Sequence, residues 1–260
     1  MRTALFVALI LSGCIGAQPS EEGPPGEGGT PPGPSVTETM TQTPGPRIPG
    51  PAMASLLDCM RSAVLLRASE TATRALVPDQ YAFSGQGLVN AVLLLASCDK
   101  ATIGNHTSLD QVRLAFVYVF IDEPNTGALP VYLIEAFTDD PALVSFMQSL
   151  GMPAQQAAID LAVGVEGGTY GVSGPVTYSG TVASPLDENG NIQDGSFAFY
   201  HDDGLLNITR LTETFDISSQ LVAASLLTAS GGALGAMLPG GSQSVLVDRS
   251  YVDATLELAK

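Results

Sequence analysis

Hydrophobic and polar positions fall into three regimes along the chain. An unbroken apolar run, Ala4 to Leu11, follows a single Arg2. Residues 15–53 are then polar, with ten Pro, eight Gly and no aromatic residue. From residue 54 onward, apolar positions recur at the spacings of folded elements. The chain therefore divides into a leader (1–13), a linker (14–53) and one domain (54–260).

Within the domain, Leu56, Leu57, Met60, Val64 and Leu65 stand three and four residues apart and predict a helix over 54–67. Pro78 breaks the segment that follows. Residues 87–97 are almost wholly apolar, as a strand buried on both faces would be. A polar loop is expected over 99–110, then strands over 112–121 and 131–138. Asp140 as N-cap, Pro141 in the first turn and Gly151 past the end frame a second helix, with Leu143, Phe146, Met147 and Leu150 on its apolar face.

The remainder reads mostly as strands, over 157–165, 176–183, 196–200, 205–215 and 245–258. Asn189-Gly190 and Asp202-Asp203-Gly204 mark turns. A third helix is expected over 218–228, followed by a Gly-rich loop over 231–241. The sum is an α+β domain with a large antiparallel sheet, closed into a β-barrel and carrying two or three helices.

Charge narrows the partners. Acidic residues number 26 and basic ones 10, a net of −16, which argues against nucleic acid and anionic headgroups. Lysine is nearly absent, with only Lys100 and Lys260.

The leader is short for a bilayer span, which needs about 20 residues, but has the layout of a secretion signal. Its end, Leu11-Ser12-Gly13-Cys14, resembles the lipobox of prokaryotic lipoproteins. That resemblance implies a diacylglycerol on Cys14, with acyl chains such as palmitate, and a durable membrane anchor because two chains hold where one does not. An ordinary signal peptide with an incidental cysteine is the alternative. The location implied is extracytoplasmic, on the cell membrane or the outer membrane; Ile15 lacks the Asp associated with inner-membrane retention. The Pro/Gly-rich linker cannot bury enough apolar surface to offset its ordering entropy. It would reach between about 35 Å as a coil and about 120 Å fully extended.

With Cys14 lipidated, Cys59 and Cys98 remain, and two cysteines in an exported domain most often pair. Such a bond would tie the expected first helix to the end of the first long strand; two buried free thiols are the competing reading. No zinc spacing joins cysteine to His106 or His201, so no metal is expected.

The order of elements, with Leu76-Val77-Pro78 near Tyr81 and with Gly151-Met152-Pro153-Ala154-Gln155, resembles the acetoacetate decarboxylase-like family. The resemblance implies a cone-shaped barrel with an interior cavity. In the decarboxylases the second stretch reads Gly-aromatic-Pro-Lys-Lys, one lysine forming a Schiff base and its neighbour lowering that amine's pKa. Here those positions hold Ala154 and Gln155, which form no imine, so Schiff-base decarboxylation is expected to be absent.

Other motifs are weaker. The segment Asp187-Glu188-Asn189-Gly190-Asn191 with Asp194 lacks the spacing of a calcium loop, and a hairpin turn explains it. His201 beside Asp202-Asp203 reads as a solvated turn. Gly85-Gln86-Gly87 precedes no helix, and no Gly-x-Ser-x-Gly elbow occurs. No cofactor is expected.

Three functions follow as expectations. The first is non-catalytic binding of a small apolar ligand in the barrel, near Met152, Pro153, Ala154 and Gln155 and along Phe116 and Tyr118. The second is an envelope protein that binds a macromolecule. The third is an enzyme whose acid/base residues the sequence does not identify.

Overall fold

The computed structural model describes residues 53–83, 87–104, 107–122, 129–164, 166–182, 187–188, 197–201, 204–205, 209–215 and 221–258. The leader, its Cys14 and the linker to residue 52 lie outside these residues, as do Asn189 to Asp194, His106, Asp202 and Asp203.

In chain order the described elements are β1 (Met53–Ser69), α1 (Glu70–Arg74), β2 (Ala82–Phe83), β3 (Leu88–Ile103), β4 (Thr107–Asp122) and β5 (Leu129–Thr138). There follow α2 (Pro141–Ser149), β6 (Ala154–Gln156), β7 (Ala158–Gly164), β8 (Gly167–Ser173), β9 (Thr177–Val182) and β10 (Asp187–Glu188). The last are β11 (Phe197–His201), β12 (Gly204–Leu205), β13 (Thr209–Phe215), β14 (Leu221–Ser230), α3 (Gly232–Met237) and β15 (Ser242–Leu258).

The main sheet runs β12-β11-β5-β4-β3-β1-β15-β14-β9-β8-β7 and curls into a nearly closed barrel. All its pairings are antiparallel except those of β5 with β11 and with β6. Where β7 comes round towards β4, Arg113 Nη1 donates to the Ile159 carbonyl at 3.2 Å. The predicted α+β class with a large antiparallel sheet is therefore the observed one; three helices occur among the described residues, and one of them, α2, stands where a helix was predicted.

Two cores sit on opposite faces of the same strands. Leu93 and Leu95 of β3, with Ala115 and Val117 of β4, point inward to meet Ile159, Leu161, Val172 and Tyr178 from the opposite wall. Their alternate neighbours, Val92, Leu94, Leu114 and Phe116, point outward and lie under Leu143 and Met147 of α2. Burial on both faces is why β3 and β4 read as continuous apolar runs. The helix α2 forms as its sequence dictates: Asp140 Oδ1 accepts from the amides of Ala142 and Leu143 at 2.8 and 3.0 Å, and Gly151 takes φ 83°.

Two predicted helices are strands. Residues 54–67 belong to β1, where the register shifts between Ser55 and Cys59 and Asp58 takes φ 51°. That bulge moves the inward phase by one residue and leaves a false three- and four-residue spacing. Residues 221–228 of the predicted third helix lie in β14, where Ala223, Ser225, Leu227 and Ala229 are buried and their neighbours exposed. This period of two outweighs the helical propensity of its Ala and Leu. The expected loop over 99–110 is instead the end of β3 and the start of β4, a polar hairpin held by backbone pairing. The Gly-rich loop over 231–241 contains α3, and β8, with its two leading glycines, was not expected.

Cys59 and Cys98 form a disulfide across directly paired residues of β1 and β3, with Cα atoms 3.9 Å apart. It joins two neighbouring strands, since the expected helix is β1.

Candidate functional site

The residues expected at a ligand site divide between core and surface. Phe116 and Tyr118 lie on the outward face of β4, in an aromatic cluster with Phe197 and Phe199 of β11 whose centroids are 5.9–6.2 Å apart. Met152 and Ala154 are buried in that same outer core, Pro153 is half-buried and Gln155 is exposed. The structure thus brings Phe116, Tyr118, Met152 and Ala154 into one packed cluster outside the barrel lumen and leaves Gln155 at the surface.

The lumen holds a polar group that the sequence analysis missed. The register of β4 against β5 shifts after Val117, which faces Glu135, while Tyr118 faces Leu133. The extra residue, Ile134, turns Glu135 inward. There Glu135 Oε2 accepts from the Tyr178 hydroxyl at 2.6 Å, and Oε1 accepts from the Ala233 amide at 3.0 Å. The Leu234 amide donates to the Tyr178 oxygen at 3.4 Å. Burial, then the adjoining Glu135 carboxylate, push the Tyr178 phenol well above its ordinary range. Gly232 makes the contact possible, because a Cβ there would overlap the Tyr178 hydroxyl. An acidic residue inside the apolar stretch 131–138 was the available signal.

A second buried phenol, Tyr170, lies 3.0 Å from Ser225 Oγ, which donates to the Thr181 carbonyl at 2.9 Å. Tyr170 is therefore the donor to Ser225, and burial raises its pKa as well. In the same inner core, Tyr81 packs at a tilt against Tyr132 with centroids 5.2 Å apart and edge-on against Tyr200 at 5.7 Å. His201 Nδ1 lies 2.9 Å from the Leu133 carbonyl. Among the described residues no three His, Cys, Asp or Glu side chains converge as metal ligands.

A solvent-facing recess lies elsewhere. It is a shallow, open depression of about 630 Å³ along β7, β8, β9 and β14, with Arg113 among its lining residues. Its exposed side chains are chiefly hydroxyls, including Thr169, Ser179, Thr181 and Thr228. Asp160 joins them, its Oδ2 accepting from Thr169 Oγ1 at 2.8 Å.

No family model matches the sequence, and no curated relative matches it. Among solved structures the chain is similar to acetoacetate decarboxylase from Legionella pneumophila, at 14% identity and a TM-score of 0.58, covering 85% of this chain and 92% of that one. It is also similar to an acetoacetate decarboxylase-like enzyme from Sphingomonas wittichii, at 12% identity and a TM-score of 0.52, covering 86% of this chain and 100% of that one. The fold is that of acetoacetate decarboxylase-like proteins.

Proposed function

We propose that this protein is a lipid-anchored extracytoplasmic binding protein that carries out no Schiff-base chemistry on its decarboxylase-like barrel. The observation that carries the reading is the placement of amines. Lysine occurs only at 100 and 260, and Lys100 is exposed on β3, paired with Leu57 and Asp110 at the hairpin. A nucleophilic amine must be desolvated or held near another cation to be neutral at physiological pH. Lys100 is exposed rather than desolvated, and its paired neighbours are the apolar Leu57 and the acidic Asp110.

The interior supports binding outside the lumen rather than the apolar cavity expected from the resemblance. Side chains of opposite walls meet there in one buried cluster, with Glu135 and Tyr178 spent on each other. The outer recess is of the size that holds small ligands, roughly 300–1,000 Å³. The anchor rests on Leu11-Ser12-Gly13-Cys14, and the linker gives the domain its distance from the membrane.

Borohydride reduction in the presence of acetoacetate tests the chemistry. The expected mass spectrum shows no adduct and the expected assay no carbon dioxide release; an adduct on Lys100, or turnover, would overturn the reading. Replacing Cys14 by Ser tests the anchor, with expected loss of acyl-chain labelling and release from the membrane fraction. Retention of both would refute it.

A further inference from the structure

The outer recess is ordered as a grid. In the β8–β9 register Thr169 stands opposite Thr181 and Gly171 opposite Ser179. Pairing with β7 puts Asp160 beside Gly171, and pairing with β14 puts Thr228 beside Ser179. One row across four strands therefore reads Asp160, Gly171, Ser179, Thr228. At Gly171 the floor drops to the backbone, and no larger residue fits, because a Cβ would come within 2.6 Å of the Tyr178 carbonyl oxygen. Leu226, 56% exposed, adds a large aliphatic side chain to the lining of the recess.

We propose that this recess binds a neutral, hydroxyl-rich ligand of the saccharide class, an inference that rests on the non-catalytic reading above and assigns its ligand. Serine and threonine hydroxyls rotate to donate or accept, as sugar hydroxyls do, so a grid of them meets a polyol whichever way each group turns. Asp160 adds a strong acceptor. Arg113 adds a donor fork already steadied by its bond to Ile159. Leu226 offers a patch for the C–H face of a pyranose.

Other ligand classes fit less well. An anion meets Asp160 and a net charge of −16. A cation finds a single carboxylate there. An extended peptide takes main-chain hydrogen bonds from a sheet edge, whereas the hydroxyls here project from the sheet's face. A largely apolar ligand would bury these hydroxyls without partners, which opposes binding.

The test is calorimetric titration of the full lipidated chain in detergent with short neutral oligomers of glucose, mannose, galactose and N-acetylglucosamine, alongside co-sedimentation with insoluble cell-wall glycan. Binding of soluble oligomers would identify a free sugar, and co-sedimentation an envelope polymer; either supports the assignment. Ser179→Tyr, which fills the middle of the grid from an exposed position, should abolish binding without lowering Tm. Asp160→Asn should weaken it about tenfold. Failure of every sugar to bind would overturn the assignment and leave the non-catalytic reading standing, as would undiminished binding by Ser179→Tyr. Cleavage of a bound sugar, or decarboxylation of a ketoacid, would overturn the non-catalytic reading and leave the recess in place.

Discussion

Tyr178 donates its hydroxyl proton to Glu135 at 2.6 Å, joining strands β9 and β5, which stand six places apart in the sheet. The bond crosses the lumen, and the Ala233 amide brings α3 into the same group. Opposite walls of the barrel are thereby tied by side chains as well as by apolar packing. A hydrogen bond to a charged group contributes about 1.5–3 kcal/mol, and an orphaned buried partner costs a similar amount. Tyr178→Phe should destabilise the domain by about 2 kcal/mol in urea unfolding. Combining it with Glu135→Gln should cost less than the sum of the single changes, and strict additivity would show that the two side chains are not coupled.

Glycine at 232 is required by space as well as by backbone angle. Its φ is 59°, and an added Cβ would overlap the Tyr178 hydroxyl and approach Glu135 Oε1 at 2.8 Å. Gly231 has φ 74° with nothing within 4 Å of the same Cβ. Gly231→Ala should therefore cost only the backbone term, about 1 kcal/mol, while Gly232→Ala should cost at least twice as much by also breaking the Glu135–Tyr178 contact. Thermal unfolding of the two variants side by side measures the difference.

The pair of glycine contexts also shows what the sequence could reveal. The strands 112–121 and 131–138, the capped helix and the disulfide were legible because each rests on local signals: alternation, an N-cap, cysteine count. The segments 54–67 and 218–228 were not, because a bulge at Asp58 and the one-sided burial of an Ala/Leu-rich strand depend on neighbours distant in sequence. Site legibility divides the same way. Ala154 and Gln155 stood out through a resemblance carried by one short stretch, whereas the inward turn of Glu135 comes from an extra residue in β5 relative to β4, a relation between strands that no single stretch displays. The hydroxyl grid likewise arises only when β7, β8, β9 and β14 are set in register.

The disulfide closes a segment spanning 39 residues between two strands that already pair along their length. Chain-entropy reasoning gives about 3–4 kcal/mol for a loop of this size. Both cysteines are buried, so replacing them with Ala also removes the packing of two sulfur atoms, a loss that reduction of the wild-type chain does not share. Reduction of the wild-type chain should lower stability by about that amount in equilibrium denaturation, and Cys59→Ala with Cys98→Ala should lower it by at least as much. A double variant as stable as the oxidised protein would show that the β1–β3 pairing alone constrains this segment.

Alkaline stability should report the two buried phenols. Tyr170 and Tyr178 both have folded-state pKa values above the ordinary tyrosine value of 10.0, burial being the leading cause in each. The unfolded chain therefore releases these protons first as pH rises. Their contribution to stability is fully present below pH 10 and falls away above it, as the folded form holds protons that the unfolded form has lost. Unfolding free energy should accordingly decline from about pH 10 upward, with a slope steeper than exposed tyrosines produce. Tyr178→Phe removes the larger of the two shifts. Its stability should be lower than wild type at neutral pH but flatter across the alkaline range, so the two curves converge as pH rises. Parallel curves would mean that Tyr178 ionises in the folded protein as readily as in the unfolded chain, which the short bond to Glu135 argues against.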